Sequence, residues 1–73
     1  MPRVNISSKD IERLLRKHGL QIIGQKGSHQ QFKGIIKGKK RRVTVLANKK
    51  DFDLKTFQSI VRQSGLEEND FFG

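Results

Sequence analysis

Ile11, Leu14 and Leu15 stand at i, i+3 and i+4 in the otherwise polar stretch SKDIERLLRKH. That spacing makes one apolar stripe and predicts a helix over 8–18. Ser7 and Ser8 offer N-cap hydroxyls, Asp10 and Glu12 bring negative charge to the first turns, and Arg16, Lys17 and His18 bring positive charge to the last. Gly19 suits the position after the helix, and Leu20 can fold back on the final turn. Here the period changes. Residues 20–25, LQIIGQ, are β-branched in the middle, with glycines on either side, and predict a strand. Lys26-Gly27-Ser28 reads as a turn, and residues 29–36 as a second strand. Alternation puts Gln30, Phe32 and Ile36 on one face of that strand and His29, Gln31 and Lys33 on the other. KGKKRR, 37–42, reads as a tight basic turn around Gly38. RVTVL, 42–46, reads as a third strand with Val43 and Val45 inward.

Residues 47–53 are polar and predict a loop ending in Asp53, a good cap for the helix LKTFQSIVRQS. Leu54, Phe57, Ile60 and Val61 recur there at helical spacing, and Gly65-Leu66 repeats the Gly19-Leu20 ending. The tail EENDFFG has the makings of one more helical turn that tucks Phe71 or Phe72 against the body. The predicted order is helix, three strands, helix: an α+β domain whose antiparallel three-stranded meander carries both helices on one face and leaves the other open. Neither repeats nor linkers interrupt it. Residues 1–73 are therefore expected to form one domain.

Composition changes the picture at three points. Only 33% of the residues are hydrophobic, so the core is thin, and a short chain leaves much of its surface in water. There is no cysteine, so neither a disulfide framework nor a thiolate zinc site can support that core. No apolar run approaches membrane-spanning length, which predicts a soluble, cytoplasmic protein. Charge adds the most. Sixteen Lys and Arg face seven Asp and Glu, a net charge of +9, and between Arg13 and Lys50 there is no acidic residue at all. Such a block builds a field of one sign that suits a polyphosphate, and nucleic acid fits it better than a membrane surface because the first helix is not a basic, aromatic-rich amphipath.

The run KGSHQQF concentrates the candidate chemistry. If Phe32 points into the core, His29 points to solvent on the open face, among Lys26, Lys33 and the Lys39, Lys40, Arg41, Arg42 cluster. A histidine near a turn can simply be a surface residue. An imidazole titrating near pH ~6.5 can also take a proton from a ribose 2′-hydroxyl or give one to a leaving 5′-oxygen. Ser28 and the N–H groups around Gly27 could hold a phosphate oxygen. His18, at a helix end, reads as a partner for helix carbonyls. Two distant histidines without cysteine do not make a metal site, GQKG and KGK match no nucleotide-binding fingerprint, and the phenylalanines read as core. No metal and no cofactor are expected.

Ile11-Leu14-Leu15, the run Lys26 to Phe32, Arg42-Val43-Thr44-Val45, and Ile60 to Leu66 followed by Glu67-Glu68 and a phenylalanine pair together resemble the HicA toxins of bacterial HicAB toxin–antitoxin systems. The likeness runs from about Ser8 to Phe72. It implies a double-stranded-RNA-binding-like α-β-β-β-α fold and ribosome-independent mRNA cleavage, with the histidine of the GSH motif, here His29, as the essential residue. It also implies a HicB antitoxin as partner. RNA contacts are expected from Lys26, Gly27, Ser28, Gln31, Lys33, Lys39, Lys40, Arg41, Arg42 and Asn48. The chain departs from the family at one place. Many members carry V-P-x-H after the third strand, where this chain has Val45-Leu46-Ala47-Asn48, and asparagine exchanges no proton near neutrality. A weaker nuclease follows if that second histidine contributes. Two other readings stay open: a basic RNA- or DNA-binding module whose histidine only touches backbone, and an interaction protein whose basic face receives an acidic partner.

Overall fold

A computed structural model describes residues 2–72. The elements run β1 (Arg3–Val4), α1 (Ser8–Lys17), β2 (Gln21–Lys26), β3 (His29–Ile36), β4 (Lys39–Leu46), β5 (Phe52–Asp53), α2 (Leu54–Ser64) and α3 (Glu68–Phe72). The expected α+β order is present, with β2-β3-β4 as an antiparallel three-stranded sheet. Ser7, not Ser8, caps α1: its hydroxyl accepts from the Asp10 N–H, and the Asp10 carboxylate accepts from the Ser7 N–H. Asp53 caps α2 as expected, accepting from the Thr56 N–H and hydroxyl. The short tail helix tucks Phe71 under, edge-on to Phe57 at 5.4 Å between ring centres, and leaves Phe72 exposed.

One face of the sheet is covered. Phe32, Ile36, Val43 and Val45 form a single core with Ile11 and Leu15 of α1 and with Phe57 and Ile60 of α2. Gly34 lets the sheet approach the end of α1: a Cβ there would strike the Gly19 carbonyl oxygen and lie 2.8 Å from the Leu20 Cα. A second, two-stranded sheet pairs Arg3 with Asp53 and Val4 with Phe52. Two-residue strands have no alternation to read, so this sheet is invisible in the sequence.

The basic segment 37–42 is not a turn throughout. Only Lys37 and Gly38 turn, both at positive φ (53° and 78°), and Lys39, Lys40 and Arg41 already belong to β4. The two-residue connection suits a hairpin whose strands twist right-handedly. The longer strand matters for the site, because a strand sends successive side chains to opposite faces.

Candidate nucleic-acid interface

Antiparallel partners share a face, so the register defines the open side of the sheet row by row. Lys26, His29 and Leu46 form one row, Gly24, Gln31 and Thr44 the next, then Gln21, Lys33 and Arg42, and finally Ile35 with Lys40. His29 is solvent-exposed on this face, opposite in sense to Phe32, which is fully buried. Lys26, Lys33, Lys40 and Arg42 are exposed with it, and none of these rows contains an acid.

The expected cluster of four cations splits by parity. Lys40 and Arg42 lie with His29; Lys39, opposite Ile36, and Arg41, opposite Gly34, lie on the helix side. Arg41 is half-buried against the end of α2. A Cβ on Gly65 would meet its guanidinium at 2.5 Å from Nε, and that Nε is buried without a hydrogen-bond partner among the described residues. A cation beside the C-terminal end of a helix complements the exposed carbonyls there, so Arg41 has a structural post. Alternation within 39–42 held the signal for this split; reading the segment as a turn hid it.

Around His29 the main chain is tied in place. Gly27 turns at φ 60°, and the Ala47 N–H donates to the Ser28 carbonyl at 2.7 Å, which fastens the end of β4 to the GSH turn. Ser8, almost fully buried, laces the same segment to α1. Its hydroxyl donates to the Leu46 carbonyl at 2.6 Å and accepts from the Lys49 N–H at 2.9 Å, while its own N–H donates to the Lys49 carbonyl. Asn48 follows directly, exposed and left-handed at φ 60°, a conformation in which Asn, Asp and His are the enriched non-glycine residues. The position thus tolerates either the asparagine present or a histidine. Ser8 drew notice in the sequence only as a cap; its real partners are more than thirty positions away.

No three His, Cys, Asp or Glu residues come together in a metal-holding group among the described residues. A groove of about 390 Å³ between α1 and α3, lined in part by Leu14, Arg13 and Phe71, lies away from His29. The histidine stands on an open face, which suits a polymer laid across the sheet more than a small molecule enclosed in a cavity.

The fold and this face define a small basic α+β domain with an exposed imidazole on the same sheet face as four exposed cations. Residues 8–66 of the 73 match the family model described as the HicA toxin of bacterial toxin–antitoxin systems, and the chain belongs to that family. Neither a curated protein nor a solved structure matches it. Membership makes it the toxin of a toxin–antitoxin system, with an antitoxin as partner, in a family of mRNA-cleaving toxins. No described helix is long and apolar enough to cross a membrane.

Proposed function

We propose that the chain is an endoribonuclease that cuts mRNA in the cytoplasm, with His29 as its acid–base group and no metal in the step. The observation that carries this is the row arrangement: an exposed imidazole with Lys26 in its own row and Lys33, Arg42 and Lys40 further along the same sheet face, with no acid in those rows. The cations hold backbone phosphates. His29 takes the proton from a ribose 2′-hydroxyl, whose oxygen attacks the adjacent phosphorus. The P–O5′ bond breaks, the 5′-oxygen receives the proton back from the imidazolium, and a 2′,3′-cyclic phosphate and a 5′-hydroxyl are left. N–H groups of the Gly27-Ser28 turn and the Ser28 hydroxyl steady a non-bridging oxygen. A HicB-like antitoxin with an acidic surface covers the same face, docking through electrostatic steering in place of the phosphates.

Purified protein incubated with single-stranded RNA in EDTA is expected to yield cyclic-phosphate ends. Activity lost in EDTA and restored by a divalent cation would overturn the metal-free step. Asn48 favours a second reading, a binding module with little or no nuclease activity, because the resemblance to HicA toxins implies a histidine at that position in many members. The left-handed backbone there accepts histidine, so Asn48→His separates the two. Cleavage gained only in that variant supports the binding module, and equal cleavage by both proteins contradicts it.

A further inference from the structure

The middle row of the open face has a gap. Gly24 on β2, just after the register shift that leaves Ile23 unpaired and exposed, stands opposite Gln31 on β3, and a Cβ built on Gly24 meets nothing within 4 Å beyond its chain neighbours. Beside this gap the Gln31 amide is held. The Thr44 hydroxyl donates to Gln31 Oε1 at 3.2 Å, which uses one oxygen lone pair and leaves the amide NH₂ and the other lone pair unclaimed by that bond. Thr44 is anchored from behind: its main-chain N–H donates to Gln63 Oε1 at 3.0 Å, and Gln63 Nε2 donates to Ser59 Oγ at 3.1 Å. Because the Thr44 N–H points away from β3, Gln31 and Thr44 form a non-hydrogen-bonded pair, the kind whose side chains lie closest. A chain of contacts thus runs from α2 through the edge of β4 to one oriented amide on β3, the strand beside Gly24. Rows along a strand are about 7 Å apart, so the gap adjoins the His29 row on one side and the Lys33–Arg42 row on the other.

We infer that the gap over Gly24 is a subsite for one unpaired nucleobase, read by the Gln31 amide that Thr44 orients. The inference rests on the RNA reading above and adds to it a place where base identity is sensed. Cations on both sides hold the neighbouring phosphates, which carry no sequence information. An amide offering both a donor and an acceptor to a base edge does carry it, and a glycine leaves room for the base to approach. Gln31 and Thr44 are specificity-determining residues here; they move no proton.

The test uses Gly24→Val and Thr44→Val beside the wild type, measuring binding to oligo-U, oligo-A and oligo-C together with the positions at which a mixed-sequence RNA is cut. Valine at Gly24 enters open space in a strand, so its melting temperature is expected to equal or exceed the wild type's. Wild-type affinities are expected to spread by about tenfold across the three oligomers. In both variants that spread collapses toward one while the salt dependence of binding stays the same, because the phosphate contacts remain. Thr44→Val, nearly isosteric, gives the answer if Gly24→Val fails to fold. A spread unchanged in the variants, or absent from the wild type, overturns the subsite. A flattened salt dependence in Gly24→Val also overturns it, by showing that the gap holds a phosphate. Base discrimination lost in the variants without any RNA being cut would sink the nuclease reading and keep the subsite. Cleavage abolished by His29→Ala, with discrimination untouched by the gap variants, would do the reverse.

Discussion

Asp53 caps α2 and Asp10 completes the capping box of α1, and each is held below the ordinary carboxylate pKa by the hydrogen bonds of its cap. For Asp53 the main cause is the Thr56 hydroxyl, followed by the Thr56 main-chain N–H. For Asp10 it is the Ser7 main-chain N–H, followed by the Ser7 hydroxyl. A carboxylate depressed in the folded state adds stability that is fully present above its unfolded value, about 3.9, and is lost as the pH falls through its lower folded value. Asp53→Asn keeps an acceptor at the cap but cannot titrate. Its stability is therefore expected to fall less steeply than the wild type's below about pH 4, which acid unfolding followed by circular dichroism would measure. An acid limb identical to the wild type's would mean that the cap carboxylate is not what titrates there. Both caps were legible in the sequence, since each acid sits within a helix-start pattern. Ser7 and Ser8 offer the same hydroxyl in the sequence, and only the fold decides that Ser7 caps the helix and Ser8 faces Lys49.

Where elements are long and periodic, their limits are legible in the sequence to within a residue or two, as for the strand β3 and the helix α2. The basic hairpin was less legible. Lysine and arginine mark neither a turn nor a face, so the sequence pattern starts β4 three residues late and groups Arg41 with the cations of the open side. What assigns Arg41 to the helix side is its partner Gly34, and Gly34 in turn is dictated by the end of α1. The atoms a side chain at Gly34 would meet are main chain, which cannot swing aside. Gly34→Ala is expected to cost ~2 kcal/mol and to lower the melting temperature on the order of 10 °C in thermal unfolding. An unchanged melting temperature would show that sheet and helix can separate freely at this point.

Across the whole molecule, the two faces of the sheet have different duties. The covered face holds the thin core; the open face carries four exposed cations in rows around His29. If those four neutralise phosphates of single-stranded RNA, log affinity against log salt should have a slope of about −3. Lys40→Gln and Arg42→Gln should each flatten it by about 0.7, whereas Lys39→Gln should leave it unchanged. Equal effects at Lys39 and Lys40 would mean that strand parity does not decide which cations meet RNA. The existence of a basic surface was legible from charge alone; its division needed the register. The proton-transfer role proposed for His29 is tested most directly by His29→Ala, assayed in parallel for RNA cleavage, RNA affinity and thermal unfolding. Because the imidazole is exposed and outside the core, cleavage should fall by on the order of 10²–10⁴ while the melting temperature and the salt-dependent affinity stay near those of the wild type. Cleavage undiminished in a folded His29→Ala protein would contradict it.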